Sequence, residues 1–307
     1  MTERLEDLAA RLGPARMRAV RQGLTIVGLL ALPYIVWVNR ERSLFGFDAH
    51  AYWAVDLSNL YGASTGNTSD LDAFRYTPAA GQAFAIFHVI PWELFFALWF
   101  SAMIAALIWL TGRTWLVLLA FPPIPLELYH GNIHLFLAVA IVLGFRYPAA
   151  WAFVLLTKVS PGVGVLWFAF RGEWRRLAIA IGAAAAIAAV SFVVAPNLWR
   201  QYAQTMVDSL DYDPGHAYPV PIPLWIRMLA SVAILWWGAR TDRRWTVPVA
   251  ATLSLPIIWF HGFALLVAAI PLWREDRARQ AASLDRRRID VAHAASGSSS
   301  IGAWPIE

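Results

Sequence analysis

From Gly23 to Trp273 the chain consists of apolar runs, with its charges gathered into a few clusters between them. Such a pattern leaves too few polar groups to cover a soluble surface. It points to a fold made in lipid, where each backbone segment must satisfy its own hydrogen bonds and helices are the economical solution. Of the 307 residues, 59% are hydrophobic and 15% charged, against about 25% charged in an ordinary soluble domain. This balance excludes a disordered chain and a nucleic-acid-binding domain, and the absence of Cys excludes a disulfide scaffold.

A helix needs about 20 apolar residues to cross the hydrocarbon core. Gly23–Val38, Pro91–Thr111, Leu177–Ala195 and Leu224–Ala239 are credible spans. Trp115–Leu126, Ile133–Phe145, Pro148–Thr157, Pro161–Phe170 and the two runs flanking His261 are too short to span alone. Broken or half-depth helices of that kind are tolerated where they meet protein or line a watery cavity. The expectation is an all-α polytopic membrane protein of about ten transmembrane or half-depth helices, with short amphipathic helices in its first outer loop.

Orientation follows from the basic residues. Twenty-four are Arg and a single one, Lys158, is Lys. The Arg clusters at 4–21, 171–176, 240–244 and 274–288 are assigned to the cytoplasm by the positive-inside rule, which puts both termini there. Outer loops are then expected at about residues 39–78 and 196–223, where Asp48, Asp56, Asp70, Asp72, Asp208, Asp211 and Asp213 lie. The formal charge of +5 thus reflects topology and contact with anionic lipid rather than nucleic acid. Two ways of counting passes between Tyr76 and Phe170 fit the Arg clusters equally, and they disagree on the side faced by Gly131–Asn132 and Lys158. Residues 1–22 read as an interfacial helix with Leu5, Leu8 and Leu12 on one face, residues 23–273 as the membrane domain, and residues 274–307 as a disordered cytoplasmic tail.

Four stretches could carry chemistry. In Phe45–Trp53 a helix places Asp48 and Tyr52 on one face, with His50 and Trp53 nearby; Asp48 there is either a general base or the N-cap of a short surface helix. Arg75, beside Tyr76 in the segment closing this loop, suits a phosphate or a snorkelling anchor. Glu127, Tyr129, His130, Asn132 and His134 form a second polar cluster, either a sugar-binding wall or a loop with one interhelical hydrogen bond. His130 and His134 lack a third ligand nearby in sequence, and without Cys no metal site is expected. Lys158, in an apolar stretch where a charge is costly, suits a lipid phosphate. His261 stands at the turn between two short runs, on the same side as Asp48.

Taken in order, these motifs resemble the polyprenyl-phosphate-mannose-dependent mannosyltransferases of the GT-C superfamily, specifically glycosyltransferase family 87. The residues that carry the resemblance are Asp48 with Tyr52, Tyr76-Thr77-Pro78, Gly131-Asn132, Lys158-x-x-Pro161 before Arg171–Arg176, and Pro256-x-x-Trp259-x-His261. Leu255 stands where the family's Ser would precede the Pro. The resemblance implies a GT-C-like fold in a bacterial plasma membrane, with the active site on its outer face. Asp48 would deprotonate an acceptor hydroxyl, which inverts the anomeric carbon of a lipid-phosphate sugar. Lys158 and Arg75 would stabilise the leaving phosphate, His261 would position a substrate, and Tyr52 and Trp53 would stack on sugar. His50, Tyr76, Glu127, His130 and Asn132 complete the expected substrate-binding set. The implied partners are a lipid-linked sugar donor, a glycolipid or glycan acceptor and membrane lipids, with no cofactor and no nucleic acid. A transporter or flippase using the same charges, and a non-catalytic scaffold, are the alternatives.

Overall fold

A computed structural model of the chain describes residues 2–42, 45–62, 72–208 and 220–298. Parts of both expected outer loops, with Asp70, Asp211 and Asp213, and residues 299–307 of the tail lie outside the described residues. Among the described residues every regular element is helical.

Helix α1 (Thr2–Val38) is broken at Gly13, whose φ of 69° and ψ of 162° precede Pro14, so the stretch before it is separate from the apolar span Gly13–Val38. Helix α4 (Trp92–Thr111) runs on through the short α5 (Trp115–Leu118), and α10 (Trp174–Val194) stands alone. These are three helices long and apolar enough to cross a membrane. A fourth span results if α6 (Pro123–His130) and α7 (His134–Gly144), bent by 110° at their junction, are counted together. The structure therefore supports an all-α membrane protein but not the expected count of about ten. The reason is local. The other apolar runs are cut by Pro, Gly and polar residues into α8 (Trp151–Thr157), a 3₁₀ turn at Ser160–Val165, α9 (Leu166–Phe170), α13 (Thr246–Leu253) and a 3₁₀ run at Phe260–Ala268. Helix α12 (Leu224–Arg240), read from sequence as a span, has 17 residues and carries Arg227 inside it.

Trp151, Trp167, Phe168, Met103 and Leu107 are fully buried in one core to which the short helices and α4 contribute. Small residues allow the close approach: a Cβ added at Gly164 would come within 2.4 Å of the Trp151 ring. Leu30, Val193 and Trp225 face outward from α1, α10 and α12, as a bilayer-facing surface requires.

One end of the bundle is fastened by Arg. Arg171 donates to Ala239 O at 3.1 Å and pairs with Asp242 at 3.0 Å, Arg244 pairs with Glu275 at 3.7 Å, and Arg274 donates to Thr111 O at 3.3 Å. Three of the sequence's Arg clusters thus meet at a single end. Helix α14 (Ala269–Ser298) continues from it, so the polar run after Asp276, expected to be disordered, is helical as far as Ser298. Its wealth of Ala and Arg favours helix, and Asp276 pairs with Arg279 one turn on.

Candidate active site

The site is built on the bend between α6 and α7. Gly131 closes α6 in the left-handed region, at φ 71°. The first N–H groups of α7 have no partners of their own within that helix, and side chains from the preceding turn supply them. Glu127 Oε1 accepts from the His134 backbone N–H at 2.7 Å, and Asn132 Oδ1 accepts from Ile133 N–H at 2.7 Å. Asn132 is left at the elbow, 5% exposed. Helix α2 (Phe47–Trp53) lies across this elbow, held by a 2.8 Å bond from Gly46 N–H to Tyr129 O.

Gly131 serves the contact twice over: it adopts a conformation that favours glycine, and a Cβ there would stand 2.6 Å from the Ala49 Cβ. Gly131→Ala is therefore expected to push α2 outward and lower the catalytic rate more than tenfold, because small misplacements of reacting groups cost heavily. The protein should still accumulate in the membrane, since the strain itself costs about 1 kcal/mol. Activity per folded molecule checks this; an unchanged rate would show that the contact between α2 and the elbow does not set the site.

Side chains from four separated segments meet at the elbow. Asp48 is not the cap of α2. Gly46 occupies that position, and the Asp48 carboxylate reaches past it to accept from Asn132 Nδ2 at 2.7 Å. The same Asn132 Nδ2 lies 3.3 Å from His261 Nε2, which stands 3.8 Å from Asp48 Oδ2. Lys158, at the end of α8, donates from Nζ to Asn132 Oδ1 at 3.2 Å and lies 2.8 Å from His134 Nε2. His134 Nδ1 is 2.9 Å from Glu127 Oε2, and the His130 and His261 rings are 5.0 Å apart. The contacts bring Asp48, Asn132, Lys158 and His261 together, so a counting of passes must place all four on the same side.

Other residues of the expected set are placed differently. Tyr52 is 1% exposed with its ring stacked on Phe84, so it offers only its hydroxyl, which bonds the Tyr76 hydroxyl at 2.8 Å. His50 points the other way, pairs with Asp72 and lies against Trp53 and Trp92. Trp53 donates to Ile90 O at 2.8 Å within that same aromatic group. Arg75 is half-buried between Phe74 and Tyr76. Thr77 caps α3 (Pro78–Phe84) and also donates to Leu156 O, which ties the Tyr76-Thr77-Pro78 segment to the helix that ends at Lys158.

Sequence reasoning counted His134 in the polar cluster but left it out of the substrate-binding set, and it missed Arg227 and Ser254 altogether. Buried Arg227 donates to Ile222 O, Leu253 O, Leu255 O and Pro256 O at 2.5–2.8 Å, fixing the loop that delivers His261. Ser254 Oγ donates to Ser160 O at 2.9 Å, joining that loop to the Lys158 turn from one position before the expected Ser. An Arg interior to an apolar helix was the available signal for the first; nothing in the sequence marked the second.

Burial pushes the Asp48 carboxyl above its ordinary range, while His130, the Asn132 N–H and Lys158 oppose the rise. Burial likewise pushes the Tyr52 and Tyr76 phenols up, so both remain protonated donors. Glu127, His134 and His261 bring three donor atoms of metal-ligating type within 4.8 Å of one another. This grouping includes His134 but not His130, and it takes His261 from far along the chain.

A family model described as glycosyltransferase family 87 matches residues 74–285, more than two thirds of the chain. The match takes in Glu127, Asn132, Lys158 and His261 and begins after Asp48. No curated protein and no solved structure matches.

Proposed function

The chain belongs to glycosyltransferase family 87, and we propose that this membrane glycosyltransferase moves a sugar, taken to be mannose, from a polyprenyl-phosphate donor to a hydroxyl of a glycolipid or glycan acceptor at the outer face of a GT-C-like membrane domain. Asp48 takes the proton of the acceptor hydroxyl as its oxygen bonds to the anomeric carbon. The bond from that carbon to the phosphate oxygen breaks on the opposite face, inverting the centre, and the polyprenyl phosphate leaves with the electron pair. Lys158 meets the charge that grows on the phosphate, with Arg75 as a second cation. His261 and His130 position the reacting groups, and the Tyr52 and Tyr76 hydroxyls bond substrate oxygens. His50 and Trp53, in their aromatic group, wall the approach of the acceptor. The donor is already activated, so the reading needs no cofactor and no metal.

The observation that carries this reading is the double role of Asn132. Its Nδ2 holds Asp48 and its Oδ1 holds Lys158, so a carboxylate and an ammonium stand on either side of one amide without pairing directly. A direct ion pair would weaken the base and neutralise the cation at once. An amide between them keeps both available: the acid–base partner for the nucleophile and the countercharge for the leaving group.

The test supplies purified protein in lipid with labelled polyprenyl-phosphate mannose or with a nucleotide mannose. Transfer is expected from the lipid phosphate alone; transfer from the nucleotide sugar without the lipid donor would overturn the reading. The same assay run against pH reports on Asp48. Because its carboxyl is raised and the base must be ionised, the rate should fall on acidification above the ~3.9 of an ordinary Asp. A rate that holds down to that value would mean that another group takes the proton.

A further inference from the structure

Glu127, His134 and His261 have the composition of a metal site, yet a lysine nitrogen lies against His134 at 2.8 Å. We infer that Glu127 and His134 are positioning residues that hold the Lys158 ammonium as the resident cation of this cage, with one of its N–H groups left for an anionic ligand.

With the Glu127 carboxylate ionised and the Lys158 ammonium charged, as this inference has them, the hydrogen bonds fix the rest of the arrangement. Glu127 is fully buried, and both carboxylate oxygens are engaged by His134, one by its backbone N–H at 2.7 Å and the other by Nδ1 at 2.9 Å. An ionised carboxylate can only accept, so the imidazole hydrogen is on Nδ1 and the lone pair is on Nε2. That lone pair faces Lys158 Nζ at 2.8 Å. An ammonium can only donate, so the imidazole is neutral and accepts one of its hydrogens. Asn132 Oδ1 accepts a second at 3.2 Å. The same logic orients the amide: Oδ1 must face the ammonium, which turns Nδ2 toward Asp48. An ammonium has three donors, and the described hydrogen bonds use two.

A divalent cation bound here would require its donor atoms at about 2.0–2.2 Å. With hydrogen on Nδ1 and Lys158 Nζ 2.8 Å from Nε2, the His134 ring has no lone pair left for an ion. The cage is thus filled by a charge carried on the chain, tethered by a flexible stem and able to keep two partners while a third is exchanged. For the ligand of the third N–H the inference rests on the transfer reading, which makes it a polyprenyl phosphate; the cage itself stands without that reading.

Substitution at Glu127 discriminates sharply. In Glu127→Gln an amide NH₂ replaces one oxygen. Facing Nδ1, it drives the hydrogen to Nε2, which then points at the ammonium. Facing the His134 backbone N–H, it sets donor against donor. The first orientation avoids a donor–donor contact with the backbone, so it prevails, and in it the hold on Lys158 is lost.

Lys158 is the chain's single lysine, so lysine labelled with ¹⁵N at Nζ gives one side-chain signal in the full-length protein in lipid nanodiscs. In the wild type its hydrogens should exchange with solvent at least tenfold more slowly than those of free lysine. Glu127→Gln and His134→Leu should abolish that protection. His134→Gln, which can place an oxygen near the former Nε2, should restore much of it, a rescue that mere filling of space does not provide. If these variants fail to fold, the wild type decides alone. Exchange as fast as in free lysine, or stoichiometric Zn²⁺ or Mn²⁺ binding that displaces the lysine signal, overturns the resident cation. Added undecaprenyl phosphate should shift the protected signal. Protection lost in Glu127→Gln but no shift with the lipid phosphate would leave the cage standing and remove the donor assigned to it.

Discussion

Asp48→Asn is expected to slow sugar transfer by about a thousandfold, within the range that general-base catalysis contributes, while leaving the affinity for polyprenyl phosphate nearly unchanged. The substitution is close to isosteric. The introduced amide can still present an oxygen to Asn132 Nδ2, which in the native site bonds Asp48 at 2.7 Å, so the elbow and Lys158 should stay in place. What disappears is the ability to accept a proton. Glu127 does not take over, because both of its oxygens are committed to His134, and the His261 side chain, 11% exposed, is less open to an acceptor than Asp48, which keeps a quarter of its side chain exposed. The measurement is the initial rate at saturating donor, with lipid-phosphate binding followed separately. A loss below tenfold would remove Asp48 as the base, and equal losses in rate and binding would mean that it builds the site rather than acting in it.

Much of this site was legible one segment at a time. Asp48, Asn132, Lys158 and His261 were each marked by a polar side chain in an apolar setting, and the structure draws them together although 213 residues separate the first from the last. Which neighbours accompany them follows from helix geometry, which the reading of Phe45–Trp53 applied to Tyr52 alone. At about 100° per residue, Tyr52 falls roughly 40° from Asp48, whereas His50 and Trp53 fall roughly 160° and 140° away. They accordingly join Asp72 and Trp92 on another face. The pairing of Glu127 with His134 was hidden for the opposite reason. Seven residues along one continuous helix lie two turns apart, and only the left-handed Gly131 between them brings carboxylate and imidazole together.

The fold was legible in class but not in its passes. Hydropathy identified α4, α10 and the part of α1 from Gly13 to Val38 because each is an uninterrupted apolar span. It failed where Pro and Gly break the apolar runs, since composition does not reveal whether a broken run crosses, turns back or forms an elbow. The breaks at Gly131, Lys158 and Pro256 are where the site forms. A continuous helix buries all its own N–H and C=O groups, whereas a broken one frees side chains such as Glu127 and Arg227 to satisfy backbone, and it carries polar groups inward in doing so.

Replacing Lys158 is expected to produce the other large effect, and the choice of replacement separates charge from geometry. Lys158→Met removes a cation at the leaving phosphate and should lower kcat/KM by a factor of about a hundred to a thousand, the cost of losing one preorganised stabiliser of developing charge. Lys158→Arg keeps the charge in a chain that uses Arg for all its other basic side chains, yet it should recover little. The native nitrogen meets His134 Nε2 at 2.8 Å and Asn132 Oδ1 at 3.2 Å from a single point. A planar guanidinium spreads its donors over a fork and is wider than that point allows. A near-normal rate in Lys158→Arg would mean that only charge matters and that the cage does not. The Met variant carries a further signature. Lys158 holds the Asp48 carboxyl down against the rise caused by burial, so without it the carboxyl protonates at higher pH, and the acidic fall in residual activity should begin at a higher pH than in the wild type. Base and cation act in one transition state, so combining Asp48→Asn with Lys158→Met should cost far less than the product of the two losses. Fully multiplicative losses would mean that the two groups serve separate steps.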